Sequence, residues 1–256
     1  MRTKLSPCGS RRVRVRGRRR GAGAGAVLLV GAVCAGLPAA PVQAAPPGGP
    51  DGGPRAAERE KPCTAGTGPY QRQVEAFLKR LPDGRQSTED CVAIRRFQRA
   101  HQLERQDGYA GLETYRQVQI EQTGGKPNAD GACPERSYKV VCVDQKRQLL
   151  WVQTGSRTDF GPVPMRTGRY GQETRPGMHR VVRRVRDDRS QIYDNAPMPY
   201  AQYFDRGQAI HGRHDSLYDG GGSAGCVNLK LKDARELWER LRLGDHVYVW
   251  GRKPGT

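Results

Sequence analysis

The chain has 256 residues, room for one or two domains. Its 33 Gly and 18 Pro, about a fifth of the length, are too many for one close-packed core and too few for collagen or full disorder. The net charge of +18 would fit a nucleic-acid or anionic-membrane partner, but nine Lys and Arg and no acid lie in residues 1–44, so half of it belongs to that segment.

In chain order, that segment comes first. A basic region ends at Arg20, the apolar stretch Gly21–Leu37 follows, and Val42-Gln43-Ala44 fits a small-x-small cleavage rule. The pattern predicts a signal peptide over 1–44 and a secreted protein. The apolar run is short and rich in Gly and Ala, so no stable membrane span is expected after cleavage. Ser10-Arg11-Arg12 is a weaker start for twin-arginine export, and a nuclear basic tract is the remaining alternative. Residues 45–62 are Pro, Gly and charge without periodicity, a flexible linker.

From Tyr70 the period becomes helical: Val74, Phe77, Leu78 and Leu81 fall on one face, and Pro82-Asp83-Gly84 stops the run. Ser87-Thr88-Glu89-Asp90 reads as a capping box, opening a helix that carries Ile94, Phe97 and His101 on one side. Asp107-Gly108 is a turn, and Leu112, Tyr115 and Val118 predict a third short helix. Residues 63–122 thus form a three-helix unit, marginal for an independent core. The stretch Ile94–Leu103, followed by Asp107-Gly108-Tyr109-Ala110-Gly111-Leu112-Glu113-Thr114, resembles the second half of the peptidoglycan-binding domain found beside cell-wall enzymes. That resemblance implies a glycan partner, or a small domain that only positions its neighbour.

Residues 123–136 read as a second linker. Beyond Ser137 the period shortens to two: Tyr138–Val143 and Leu149–Val152 make a hairpin, and Val163 with Met165, Val181-Val182 and Ala209-Ile210 are short strands. Asp233–Leu243 is a helix, with Asp233 as N-cap and Gly244 at its C-terminal cap, and His246–Trp250 is a last strand. The expected class is α+β: a small three-helix domain, then a mostly-β domain over 137–252.

Cys8 and Cys34 leave with the signal, and five cysteines remain. Export favours disulfides, with Cys63–Cys91 and Cys133–Cys142 each inside one expected domain. Sequence alone leaves the other pairings open, as well as five buried thiols. No Cys-x-x-Cys occurs, so no metal site is expected. Cys226 is then left over, in Gly220-Gly221-Gly222-Ser223-Ala224-Gly225-Cys226-Val227-Asn228-Leu229, fifteen positions after His211. A thiol becomes a nucleophile when an imidazole can take its proton. A third group must fix that imidazole's tautomer, and N–H donors must meet the oxyanion, for which Gly225 and Cys226 sit in a Gly-rich turn.

His211-Gly212, then Ser223–Leu229, then a helix and Gly244-Asp245-x-Val247-x-Val249, preceded by Thr174-Arg175-Pro176-Gly177, is similar to the catalytic domain of the L,D-transpeptidases over roughly residues 137–252. The resemblance implies a cell-wall acyltransferase with Cys226 as nucleophile, His211 as general base and the Gly212 carbonyl orienting the ring. Ser223, Gly225 and Asn228 would shape the loop, and Tyr200 and Tyr203 would line the acyl-donor cleft. It implies no cofactor, and peptidoglycan stem peptides as substrates, joined as 3→3 cross-links through a thioester. One departure is Ala224, where the family carries a second His. His214 could compensate, and His179 has no identifiable partner. The alternatives are a carboxypeptidase, in which water resolves the thioester, and a non-catalytic wall-binding module. With the basic tract gone and no aromatic-basic pattern left, no nucleic-acid partner is expected.

Overall fold

The computed structural model describes residues 62–219 and 221–255, all within one compact unit spanning Arg59–Thr256. The expected signal over 1–44 lies outside the described residues, as does the linker over 45–62 except for Pro62. Among the described residues no helix is long and apolar enough to cross a membrane.

Three helices come first: α1 (Gln71–Phe77), α2 (Thr88–Ala100) and α3 (Leu112–Gln122). The expected periodic run through Leu81 ends early. Lys79 takes the left-handed φ of +56° that stops α1, and this leaves Leu81 76% exposed. The capping box forms as expected: Ser87 Oγ accepts from Asp90 N–H and the Asp90 carboxylate accepts from Ser87 N–H. Val74, Ile94, Phe97, Ala110 and Val118 make the small core between the helices. The Cys63–Cys91 disulfide closes it from one side. Gly108, at φ +89°, sits against that bridge so tightly that a Cβ there would lie 2.8 Å or less from both sulfurs.

The chain from 123 to 136 is tied down. Asn128 exchanges two hydrogen bonds with Cys133, Pro127 O accepts from Arg147 Nη2, and Cys133 is bridged to Cys142. Nine strands follow as one sheet: β1 (Lys139–Asp144), β2 (Leu149–Thr154), β3 (Arg157–Arg166), β4 (Gly177–Arg180), β5 (Arg183–Arg189), β6 (Pro197–Asp205), β7 (Gln208–Arg213), β8 (Val227–Lys230) and β9 (His246–Trp250). Their order is β4-β9-β1-β2-β3-β8-β7-β6-β5. Most pairs are antiparallel; β1–β9 and β7–β8 are parallel. β3 joins the two halves, because its first part pairs with β2 and its end, Met165 and Arg166, pairs with β8.

Helix α4 (Leu231–Arg240) begins two residues before the expected Asp233. Asp233 is buried in its first turn rather than at the N-cap, and Gly244 lies beyond the C-cap Leu241, in the turn into β9. Ala234, Leu237 and Leu241 form one apolar stripe, fully buried with Val141, Leu150, Ile210, Leu229 and Val247 in the main core. The predicted strand at Val181-Val182 is instead a corner. Val181 N–H donates to Asp245 O and Val182 N–H to Tyr203 O, so the backbone changes partner from the β9 side to β6 at this point. Helices and sheet meet through Lys230, whose Nζ lies 3.0 Å from Glu113 and 3.1 Å from Glu104, and through Arg116, which donates to Arg147 O at 3.0 Å.

Candidate active site

Strands β7 and β8 lie inside the sheet, and their parallel register sets His211 beside Asn228. Side chains alternate along a strand, so Cys226, two residues before Asn228, falls on the same face. The residues distant in sequence meet there for that reason. Cys226 is a free, half-buried thiol; His211 is 7% exposed.

The imidazole is held from both sides. His211 Nδ1 is 2.9 Å from Gly212 O, and Nε2 is 2.8 Å from Asn228 Nδ2. Asn228 Oδ1 accepts from Arg166 Nε at 3.3 Å and Nη2 at 3.2 Å, which fixes which end of the amide faces the ring. Asn228 must then donate to Nε2, and Nδ1–H must donate to the Gly212 carbonyl. This network assigns the neutral tautomer with its lone pair on Nε2. Burial pushes His211 down to about 4, helped by the Arg213 and Arg166 cations and opposed by its bond to Gly212 O. Burial also pushes the Cys226 thiol up, against the weaker pull of the Ala209 backbone and Arg175. At neutral pH the resting pair is therefore thiol and imidazole, not thiolate and imidazolium. Among the described residues no hydrogen bond joins the Cys226 sulfur to His211.

The turn before Cys226 is built from hydrogen bonds. Ser223 Oγ–H donates to Cys226 O at 2.6 Å and accepts from Gly225 N–H at 3.1 Å. Thr174, fully buried, donates to Gly225 O at 2.9 Å and accepts from Gly168 N–H at 3.0 Å. Gln208 packs against Gly225 and holds the segment beside Thr174: its Oε1 accepts from Arg175 N–H and its Nε2 donates to Glu173 O. Gly225 has φ +105°, and a Cβ on it would stand 2.1 Å from Gln208 Nε2. The Gly225 N–H, expected as an oxyanion donor, is instead committed to Ser223, because Ser223 folds back over the turn.

The thiol opens into a cavity of about 620 Å³. Cys226, His211, Asn228, Ser223 and Ala224 form one wall; the β5–β6 hairpin, residues 189–198, forms another. Tyr203 lines it as expected. Its hydroxyl donates to Asp188 at 2.6 Å under a guanidinium, that of Arg183, 3.7 Å from the ring; burial and Asp188 push the phenol up to about 12. Tyr200 does not line it. Three positions from Tyr203, at φ +60°, it turns to the opposite face and packs on the main core and Trp238. His214 is exposed at the cavity rim, whereas His179 lies elsewhere, against Phe204 with Nε2 on Arg175 O. Sequence reasoning missed Arg166, Asp188 and the hairpin. An Arg at the buried end of a β run was the available signal for the first; none marked the others. Among the described residues no group of three His, Cys, Asp or Glu side chains could hold a metal.

The family model of the YkuD L,D-transpeptidase catalytic domain matches residues 138–249. A solved L,D-transpeptidase from Stackebrandtia nassauensis is 35% identical, over 75% of this chain and 96% of that one, with a TM-score of 0.58. An L,D-transpeptidase from Xylanimonas cellulosilytica is 23% identical, over 74% of this chain and 97% of that one, at a TM-score of 0.44. One from Mycobacterium tuberculosis is 20% identical, over 44% and 57%, at 0.41. No curated protein matches the chain.

Proposed function

The chain belongs to the L,D-transpeptidase family, acyltransferases that act on peptidoglycan, and on that premise we propose that it forms 3→3 cross-links as an exported cell-wall enzyme with Cys226 as its nucleophile. The observation that carries the residue assignment is the chain Arg166–Asn228–His211–Gly212, which leaves Nε2 as the ring's only base position on the cavity wall shared with Cys226, the one free thiol among the described residues.

In the proposed step the donor's entry displaces the Asn228 amide from Nε2, and His211 takes the proton of the Cys226 thiol. The sulfur attacks the carbonyl at the L-centre of the stem's diamino acid. The Cys226 N–H meets the oxyanion. Collapse breaks the amide bond, and the departing D-Ala amine takes the proton back from His211, leaving a thioester. An acceptor amine then attacks, gives its proton to His211, and expels the thiolate, which recovers that proton. Burial disfavours the imidazolium so formed, and it hands its proton on to the departing amine readily.

Ala224 contributes no titratable group here, and His211 carries the base role alone. The test is intact mass after incubation with a disaccharide-tetrapeptide, with and without an amine acceptor. An adduct of donor minus D-Ala on Cys226, chased into a cross-linked dimer, is expected. An adduct resolving only to the tripeptide would make the chain a carboxypeptidase. No adduct on folded, reduced protein would overturn the catalytic reading.

A further inference from the structure

The charges around the cavity do not cancel. Four arginines line it, Arg169, Arg183, Arg189 and Arg213, with two carboxylates, Asp188 and Asp215. Both carboxylates are already engaged. Arg213 forms a two-pronged pair with Asp215, and Arg183 lies 3.7 Å from Asp188 while its guanidinium stacks on Tyr203.

Among the described residues the guanidinium groups of the other two meet neutral partners, although the Arg189 backbone N–H donates to Asp188. Arg169 Nε donates to Gln172 Oε1 at 2.8 Å, and Arg189 Nη1 donates to Asn195 O at 3.1 Å. Both are exposed, so each keeps donors facing solvent and the cavity mouth. They stand on different elements. The backbone of Arg169 donates to Ser223 O, which fixes this cation beside the turn that carries Cys226. Arg189 ends β5, opposite Pro197, and starts the hairpin over the cavity. Apolar groups share the lining with them: Met198, Pro197, Ala196 and the Tyr203 ring. A ligand that fits is a peptide with an apolar body and two separated anionic ends.

We infer that Arg169 and Arg189 select acyl donors whose stem carboxylates are free over donors in which they are amidated. This rests on the transpeptidase reading above and deepens it. A guanidinium binds a carboxylate through paired, charge-assisted hydrogen bonds, and an amide replaces one acceptor with a donor that faces the cation. Because the arginines are exposed, the discrimination is moderate and falls with salt.

The experiment measures kcat/KM for acylation of the full secreted chain by two disaccharide-tetrapeptides, one free-acid and one amidated. Wild type, Arg169→Gln, Arg189→Gln and the double variant are compared at low and high ionic strength. Wild type is expected to favour the free-acid donor by about three- to tenfold at low salt. That ratio should shrink in each single variant, approach one in the double, and shrink for wild type at high salt. Equal rates with both donors in wild type, or a preference that survives in the double variant, would overturn the inference while leaving the transpeptidase reading intact. Acylation by neither donor would overturn that reading, and this one with it.

Discussion

Gly225→Ala concentrates two separable costs at one atom. The first is conformational: at φ +105° an L-residue is strained, by about 1–3 kcal/mol. The second is steric, since the new Cβ would stand 2.1 Å from Gln208 Nε2, and Gln208 is buried and hydrogen-bonded at both ends of its amide. Moving it forfeits two hydrogen bonds, at about 1 kcal/mol each. Together the loss is about 3–5 kcal/mol, which a domain stable by about 5–15 kcal/mol survives. The Cys226 turn must shift with it, and a displacement near 1 Å costs roughly a hundredfold in rate. Urea unfolding followed by tryptophan fluorescence gives the first quantity, and acylation by mass spectrometry the second. Repeating both on a Gln208→Ser background removes the clash and keeps the strain, so the Gly225→Ala cost should fall there to about 1–3 kcal/mol. The same cost on both backgrounds, or wild-type stability and acylation in Gly225→Ala, would refute the reasoning.

Four other outcomes follow from the same geometry. His211 sits at about 4 in the fold against an unperturbed 6.5, so the unfolded chain binds the extra proton between them. Stability should therefore fall by about 3 kcal/mol as pH drops from about 6.5 to about 4, and this loss should vanish in a folded His211→Gln variant, read by urea titration at each pH. Because burial raises the Cys226 thiol and leaves the imidazole neutral, iodoacetamide should alkylate it appreciably only above the ordinary thiol range; fast alkylation at pH 6 would indicate an ion pair instead. Thr174→Val keeps the volume but leaves the Gly225 carbonyl and Gly168 N–H without their partner, for a loss of about 2–4 kcal/mol by chemical denaturation and slower acylation. Replacing Cys63 and Cys91 by Ala opens a loop with a sequence separation of 28 and should cost about 3–4 kcal/mol in urea unfolding, with the helices lost first.

What could be read from the sequence was local. The Ser87 box, the α2 stripe, helix α3, the first hairpin and β9 are each specified by neighbours within a few positions, and the structure has them, although α3 buries Glu113, Thr114, Arg116 and Val118 rather than Leu112 and Tyr115. Both disulfides are the pairings that the sequence favours while leaving others open, and Cys133 of the second lies in the stretch that reads as a linker. What was missed depends on partners far away. β5 reads Arg-Arg-Val-Arg-Asp-Asp-Arg, with no apolar alternation, because it is an edge strand whose pairing with β6 rather than burial makes it β. Val181-Val182 looked like a strand by composition, yet the backbone changes sheet partner there. At the site, the separation of Cys226 and His211 was visible, but their shared face depends on the β7–β8 register. Arg166 enters only because β3 ends beside Asn228. Tyr200 and Tyr203 looked equivalent until strand alternation put them on opposite faces.

Lys230 gives the helices a mechanical role. Strand β8 carries Asn228 in its middle, and each end is anchored by a different part of the chain. Thr174 pins the Gly225 end, and Glu104 and Glu113, both from the helical segment, hold the ammonium at the other. The strand thus behaves as a beam clamped at both supports, and one support is lent by a region with no atom on the cavity wall. Cutting away the helices would spare every residue around the thiol, yet it would strip the carboxylates from a half-buried cation two positions after Asn228. On this footing the helical segment sets how firmly the imidazole is aimed, whatever it binds on its outer surface.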